Sequence, residues 1–233
     1  MQPQKYRHII FDLDRTLWDF DKNSVSALRD LYVNMQLQKR GIGNFDVFHQ
    51  TYKKINAGLW EEYRNGTVTR ETLSLNRFLV TIRECGIQDV ALATALSEGY
   101  VKHVAEKTQL FPYTHETLKY LKKKYTLHVL TNGFAEVQFK KLDLSGLRDY
   151  FVHIITSEEA GAHKPSPYIF KYALNKIAAT SDECLMVGDD PEVDLVGARA
   201  CGMDQMFVNY DGISVPHQFT YEISQLSEIP NLL

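Results

Sequence analysis

The sequence has few cysteines, and their placement argues against a disulfide framework. Its 233 residues contain only three, Cys85, Cys184 and Cys201, and no two of them form a C-x-x-C pair. An odd number of widely spaced cysteines is typical of reduced, packed thiols in a cytosolic protein. We therefore expect free thiols in a reducing compartment.

Long apolar runs are also missing. No segment approaches the roughly 20 apolar residues needed to span a membrane, and the first ten residues, MQPQKYRHII, contain no apolar region of the kind found in signal peptides. We expect a cytoplasmic protein with no membrane partner.

The chain has no excess of positive charge. Its formal net charge is −3, so no broad basic field is available to hold a nucleic-acid polymer. An anionic substrate would need a local positive site or a metal ion. With 44% hydrophobic and 24% charged residues, the chain can form one large domain, or one domain with a sizeable insertion.

A short apolar run near the N-terminus ends in two carboxylates. The segment from His8 to Leu17 reads HIIFDLDRTL, so Asp12 and Asp14 follow the run and Thr16 lies two residues beyond. A short apolar run bounded by polar residues is typical of a buried strand. Buried carboxylates are strongly disfavoured unless a cation neutralises them, and two acids with a nearby hydroxyl suit a hard metal ion. The alternative is a strand followed by an acidic surface turn.

Residues 18 to about 106 show apolar residues at helical spacing and no convincing strand. We predict four helices in this block, which begin near Asn23 or Ser24, near Phe45, near Arg70 and near Asp89. The pair Asn65-Gly66 is expected to end the second helix, because both residues reach positive φ easily.

From Leu110 onward, short apolar strands alternate with helical segments. The predicted strands are Leu127–Leu130, Phe151–Ile155, Cys184–Val187 and Gln205–Val208. Such alternation predicts an α/β fold with a doubly wound, mostly parallel, Rossmann-like sheet. Because the helical block separates the first strand from the others, we predict an α/β core formed by residues 1–17 and 107–233, with a helical domain of residues 18–106 inserted in it.

Open parallel sheets bind ligands beyond the carboxyl ends of their strands, and each predicted strand delivers polar residues there. These are Asp12 and Asp14, then Thr131 and Asn132, then Lys164, and finally Asp189, Asp190 and Asp194. Together they suit phosphoryl transfer. A carboxylate can attack phosphorus, a divalent metal can steady the charge, a second acid can protonate the leaving oxygen, and a lysine and a hydroxyl can hold phosphate oxygens.

The segments DLDRT, LTNG, Lys164-Pro165 and VGDDPEVD, in this order, resemble the four motifs of the haloacid dehalogenase superfamily of phosphohydrolases. The helical insertion resembles the cap domain of its subfamily I. The resemblance implies a magnesium-dependent hydrolase that acts through an aspartyl-phosphate. By it, Asp12 is the nucleophile and a magnesium ligand, and Asp14 is the general acid and base whose backbone carbonyl also binds the metal.

The same resemblance gives roles to the other motif residues. Thr131 binds the transferring phosphoryl group with Asn132 beside it, and Lys164 neutralises the nucleophile and the phosphate. Asp189 is the remaining carboxylate on magnesium. Asp194, and with it Asp190, is expected to orient Lys164 or a metal-bound water; alternatively, either acid only places favourable negative charge at a helix N-terminus.

Two stretches, LWDFDKNSVSAL and GLWEEYRNGTVTRETLSLNRF, resemble a nucleotidase-like branch that cleaves nucleoside monophosphates, often pyrimidine ones. Trp18, Trp60, Tyr63 and Arg64 are candidate substrate contacts, because such side chains stack on planar bases. Alternatively, Trp60 and Tyr63 fill the core of the cap. Dehalogenases need no acid at the position of Asp14, so that residue favours oxygen leaving groups.

Three other functions stay open at this point. The chain could be a sugar-phosphate phosphatase, a phosphosugar mutase on the same scaffold, or a non-catalytic binding module that has kept the fold. In the preferred interpretation, its partner is a small phosphorylated metabolite, and it is a monomer or a weak homodimer.

Overall fold

The structure, a computed structural model, describes residues 5–233. The chain divides into two compact units. The α/β unit comprises Met1–Phe20 and Thr108–Leu233, and the helical unit comprises Asp21–Lys107. The divisions thus fall after Phe20 and Lys107, compared with the predicted positions after residues 17 and 106.

The α/β unit contains one six-stranded sheet in which all strand pairs are parallel. Its strands are β1 His8–Phe11, β2 Thr126–Thr131, β3 His153–Thr156, β4 Cys184–Gly188, β5 Asp204–Val208 and β6 Tyr221–Ile223. They are arranged in the order β3-β2-β1-β4-β5-β6. The predicted doubly wound parallel sheet is confirmed, and β1 lies at its centre, where the order of the strands reverses.

The helices of this unit connect the strands. They are α5 Thr114–Leu121, α6 Ala135–Leu144, α7 Ser157–Ala160, α8 Pro167–Ile177, α9 Gly197–Ala200 and α10 Ile229–Leu232. The segment Pro191–Val196 before α9 is a π-helix. On one face of the sheet, Ile10 and Met186 pack with Phe170 and Leu195 in a fully buried cluster.

The helical unit contains four α-helices: α1 Phe20–Asn34 (which begins in the last residue of the α/β unit), α2 Phe45–Arg64, α3 Arg70–Glu84 and α4 Val90–Ala105. Asn44, Thr69 and Asp89 cap α2, α3 and α4, because each side chain accepts a hydrogen bond from a backbone N–H of the first turn. The predicted start of α1 was wrong. The helix begins at Phe20, so Asn23 and Ser24 lie inside it and are buried.

Aromatic side chains fill the core of the helical unit. Tyr52 of α2, Phe78 of α3 and Tyr100 of α4 are buried, with ring centroids 5.1–5.6 Å apart. Large rings at such separations dominate the energetics of a small helical core. Among residues 5–233, no helix is both long enough and apolar enough to cross a membrane.

Three histidines lie side by side near the amino ends of β1, β2 and β3. The ring of His128 stacks between those of His8 and His153, with centroid separations of 5.3 and 5.4 Å. His8 Nδ1 and His128 Nε2 are 3.1 Å apart. Since one ring nitrogen must accept this hydrogen bond, at least one of the two rings is neutral. Burial, together with His8 and His153, lowers the pKa of His128 to about 3.

We expect this ring to make the protein sensitive to acid. In the unfolded chain His128 takes up a proton near pH ~6.5, whereas the fold keeps it neutral. The neutral His128 ring therefore contributes its full stabilisation above about pH 6.5. As the pH falls from there towards about 3, this stabilisation is lost at up to ~1.4 kcal/mol per pH unit. His128→Leu should flatten the pH dependence of the free energy of unfolding, measured by urea denaturation between about pH 7 and pH 4. His115→Leu, at an exposed position of α5, is the control and should keep the wild-type slope. Parallel curves for wild type and His128→Leu would contradict the expectation.

Candidate active site

The loop that follows β1 carries the two carboxylates of the first motif. Asp12 extends the strand pairing, because its N–H donates to the carbonyl of Val187 in β4 at 2.9 Å. The chain then makes a tight turn in which Arg15 adopts a positive φ of 66° and the N–H groups of Leu17 and Trp18 donate to Leu13. This turn fixes Asp12 and Asp14 at the carboxyl end of the central strand.

Lys164 connects two of the acidic residues of the site. Its ammonium contacts Asp12 Oδ1 at 2.5 Å, Asp194 Oδ1 at 2.6 Å and the carbonyl of Leu130 at 2.9 Å. These three acceptors use the three N–H donors of a lysine. The side chain is only 1% exposed, so the ion pairs lie in a nearly dry environment. Asp12 and Asp194 act to raise the pKa of Lys164, and this outweighs the opposing effect of burial, so the ammonium stays charged.

The carboxylates around Lys164 outnumber it. Ligand atoms of Asp12, Asp189 and Asp194 lie within 4.8 Å of one another. Burial raises the pKa of all three, that of Asp12 to about 7, and their mutual repulsion adds to the effect for Asp12 and Asp189. When all three acids are ionised, they carry two more negative charges than the one ammonium neutralises. Their carboxylate oxygens are hard ligands. This donor set fits a divalent cation such as Mg²⁺.

The second motif places a hydroxyl on the neighbouring strand. Thr131, at the end of β2, is buried, and its Oγ1 accepts from Gln138 Nε2 at 2.6 Å and from the Gly133 N–H at 3.1 Å. A Cβ at position 133 would lie 2.5 Å from the Gln138 side chain, so a larger residue there would displace Gln138. At position 188, at the end of β4, a Cβ would lie 2.4 Å from the Asp194 side chain and would displace it in the same way.

Asp14 is held from helix α6. Gln138 Nε2 donates to its Oδ2 at 2.9 Å, and the Lys141 ammonium contacts its Oδ1 at 2.6 Å. Gln138 and Lys141 are both buried, and sequence reasoning identified neither. The available signal was that two polar residues share the inward-facing stripe of an amphipathic helix with Val137 and Leu142.

Two predicted site residues have other contacts. The side-chain amide of Asn132 accepts from the Lys164 N–H at 2.8 Å and donates to the Lys164 carbonyl at 2.9 Å, so it positions the main chain of this residue. Asp190 is exposed and caps the following helical turn by accepting from Glu192 and Val193. The sequence left open whether Asp190 or Asp194 orients Lys164. In the structure, Asp194 contacts Lys164.

Asp189 is oriented through the first motif. Thr16 donates to its Oδ1 at 2.9 Å, and the Tyr210 hydroxyl in turn donates to the Thr16 carbonyl at 2.8 Å. The ring of Tyr210 stacks on that of Phe111 with centroids 3.9 Å apart. The loop after β5 therefore supports the loop after β1.

The structure gives Trp18 a packing contact. The Trp18 side chain, which was predicted to contact the substrate, is fully buried. The Lys141 ammonium lies over its ring, 4.1 Å from the centroid. Trp60, Tyr63 and Arg64 lie at the end of α2 in the helical unit and are half-buried. Trp60 and Tyr63 meet edge to face at 5.7 Å. Substrate binding by Trp18, Trp60, Tyr63 and Arg64 stays a prediction.

The chain is similar to known proteins over most of its length. Residues 6–202 match the haloacid dehalogenase-like hydrolase family. YfnB of Bacillus subtilis (strain 168), assigned to the HAD hydrolases, is 32% identical over 99% of this chain and 96% of its own length. The pyrimidine 5′-nucleotidase YjjG of Escherichia coli (strain K12) is 31% identical over 98% of both chains. A crystal structure of YfnB bound to magnesium, which reveals interdomain movement in that protein, matches with a TM-score of 0.88 and 30% identity over 98% of this chain and 99% of that chain.

These matches extend over nearly the whole chain and include its four motifs. They confirm the prediction of an enzyme of the phosphoric monoester hydrolase type and disfavour a binding module that has lost catalysis. The chain belongs to the haloacid dehalogenase-like hydrolase family.

Proposed function

We propose that this protein is a Mg²⁺-dependent phosphatase that acts through an aspartyl-phosphate, and that its substrates are pyrimidine nucleoside 5′-monophosphates. One observation carries the chemistry: the ammonium of Lys164 joins buried Asp12 and Asp194 where the carboxyl ends of β1 and β4 meet, beside Asp189. A buried carboxylate with a fixed cation and further acids is the arrangement that nucleophilic attack on a phosphate requires.

Asp12 is the nucleophile in this proposal. Lys164 holds its Oδ1, so its second oxygen attacks phosphorus while the bond from phosphorus to the leaving oxygen breaks. Asp14 gives a proton to that oxygen, and the alcohol departs. Asp14 then takes a proton from a water molecule whose oxygen attacks phosphorus, the bond from phosphorus to Asp12 breaks, and inorganic phosphate leaves.

Asp12, Asp189 and the backbone carbonyl of Asp14 would hold the magnesium ion. When bound, it offsets the repulsion between the attacking carboxylate and the phosphate. The excess of acidic groups at the site supports this assignment, and so does the magnesium in the YfnB crystal structure. Lys164 joins Asp194 and Asp12 and supplies its positive charge to the phosphate.

The substrate class rests on similarity to YjjG over nearly the full length of both chains. A pyrimidine base is planar, and aromatic and guanidinium side chains recognise such rings by stacking. Trp60, Tyr63 and Arg64 supply both kinds of group close together on α2, and we propose them as the residues that select the base.

Phosphate release from a panel of nucleoside monophosphates and sugar phosphates tests this function. We expect the highest kcat/KM on dUMP, dTMP or UMP, and a chelator should lower the rate by at least about 100-fold because the acids around Lys164 lose their counter-ion. Added Mg²⁺ should restore the rate. A preference for sugar phosphates would overturn the substrate class but keep the roles of Asp12 and Asp14. Isomerised sugar phosphate with little free phosphate would favour a mutase, and no turnover of any ester by folded protein would overturn the proposal.

A further inference from the structure

Helix α6 sends two buried polar side chains towards the first two motifs. Gln138 and Lys141 are three residues apart, so they lie on the same face of the helix, and they are only 0% and 3% exposed. Burying an amide and an ammonium is costly unless each finds specific partners. Gln138 Nε2 finds them on Asp14 and Thr131, and the Lys141 ammonium finds one on Asp14, whereas Gln138 Oε1 is buried without a hydrogen-bond partner among the described residues. The contacts therefore point to a role in holding Asp14 and Thr131.

We propose that Gln138 and Lys141 are positioning residues for the phosphatase reaction, which fix Asp14 as the proton-transferring group and make Thr131 a hydrogen-bond donor to the phosphoryl group. This inference rests on the proposed function.

The first half of the argument concerns the Thr131 hydroxyl. Its oxygen accepts two hydrogen bonds, from Gln138 Nε2 and from the Gly133 N–H. A hydroxyl oxygen has two lone pairs and one proton. With both lone pairs engaged, the only remaining capacity of Thr131 is to donate. A hydroxyl forced to donate suits a phosphate oxygen, which can only accept.

The second half concerns the carboxylate of Asp14. Each of its oxygens accepts from a different side chain, Oδ2 from Gln138 and Oδ1 from Lys141. Two donors at fixed points of one helix prevent rotation of the carboxylate about its Cβ–Cγ bond. Lys141 is itself held in place, because its ammonium lies 4.1 Å from the ring centroid of Trp18 and 5.7 Å from that of Phe20.

Gln138 thereby links the two groups directly, since one Nε2 contacts both Asp14 and Thr131. Asp14 lies in the loop after β1, and Thr131 is the last residue of β2. In the proposed reaction Asp14 faces the leaving oxygen, and Thr131 faces a non-bridging oxygen of the phosphoryl group. Because both accept from the same nitrogen, the distance between Asp14 Oδ2 and Thr131 Oγ1 cannot exceed the sum of the two hydrogen-bond lengths. Catalytic groups need positional precision of this order, because small displacements cost large factors in rate.

Lys141→Met tests the proposal by the dependence of rate on the leaving group. Methionine keeps most of the stem beside Trp18 but cannot hold Asp14. We expect kcat/KM on a nucleoside monophosphate, whose alkoxide must be protonated as it leaves, to fall by about 100-fold. On p-nitrophenyl phosphate, whose leaving group needs little protonation, we expect a fall of less than about threefold. Because Asp14 also activates water, the variant should show a burst of nitrophenolate followed by slow release of phosphate.

The control is Lys140→Met, which removes the same charge from the neighbouring position of α6, and we expect it to retain the wild-type dependence on the leaving group. Gln138→Met should combine the Lys141→Met pattern with a weaker inhibition by inorganic phosphate, since Thr131 is then free to rotate. An equal fall on both esters with no burst would show a purely structural role and overturn the proposal, as would unchanged rates. Failure of the proposed function is distinguishable, because the wild-type enzyme would then hydrolyse neither ester.

Discussion

Asp12→Asn is expected to lower kcat for phosphate release by at least about 10⁴-fold, because a neutral amide cannot form the bond to phosphorus. The substitution changes shape very little, and its amide oxygen can still accept from Lys164. Burial raises the pKa of Asp12 to about 7, so the fold disfavours the charge that the substitution removes. We therefore expect a thermal midpoint equal to or above that of the wild type when no metal is added. Phosphate release and thermal unfolding, measured on the same preparation, check both parts.

Asp190→Asn is the matched control for this experiment. It removes the same charge from an acid only four residues before Asp194, but Asp190 serves as a helix cap, and asparagine caps equally well. Its kcat should stay within about twofold of the wild type. If Asp12→Asn kept a tenth or more of the wild-type rate, Asp12 would not be the nucleophile.

Lys164→Met is expected to give the largest loss of stability of any substitution in the site. It would leave Asp12 and Asp194, both buried, facing each other without their shared cation. Removing one partner of a buried ion pair costs about 3–5 kcal/mol, because the remaining charge stays desolvated. The free energy of unfolding from urea denaturation at neutral pH measures this loss, and kcat should fall with it because the phosphate loses its fixed positive charge.

A second variant separates the charge effect from a packing effect. Adding Asp194→Asn to Lys164→Met removes one of the two unpaired carboxylates, so we expect it to restore part of the lost stability. Lys176→Met, which breaks the partly exposed pair with Glu159, should cost less than about 1 kcal/mol. If Lys164→Met were no more destabilising than Lys176→Met, Lys164 would not neutralise the buried Asp12 and Asp194 as described.

The position of the site could be predicted from the sequence because the fold fixes it. Asp12 follows an apolar run, Thr131 and Asp189 follow two more, and the carboxyl ends of parallel strands meet at one edge of the sheet. Lys164 comes from a loop, yet its place in the order of motifs indicated the same edge. The order of the strands was therefore sufficient to bring the carboxylates and the hydroxyl together, and the order of the motifs added the ammonium.

The direction in which a side chain points was harder to predict. Asn132 and Asp190 are polar residues next to strand ends, as catalytic groups are, but one clamps a backbone and the other caps a helix. Gln138 and Lys141 were missed for the opposite reason. They lie on the inward-facing stripe of a helix, where periodicity leads one to expect apolar residues, and their hydrogen bonds to other elements show which groups they hold.

Short elements were missed for lack of a pattern. Strand β6 has three residues, of which only Ile223 is buried, so no alternation develops. Helix α7 is a single turn. The start of α1 was misplaced because Asn23 and Ser24 are good capping residues by type, whereas Asp21 already supplies negative charge to the first turn.

The central place of β1 in the sheet has a consequence for synthesis of the protein on the ribosome. Phe11 pairs with Val129 on one side and with Val187 on the other, so the first strand made needs partners that emerge more than a hundred residues later. The helical unit, Asp21–Lys107, is complete before either partner exists. Asp12 receives the cation of Lys164 only after that residue has left the ribosome, and the cluster with Asp189 and Asp194 closes later still. A chain stopped before Asp194 therefore carries Asp12, the proposed nucleophile, but lacks one of the two carboxylates that Lys164 joins.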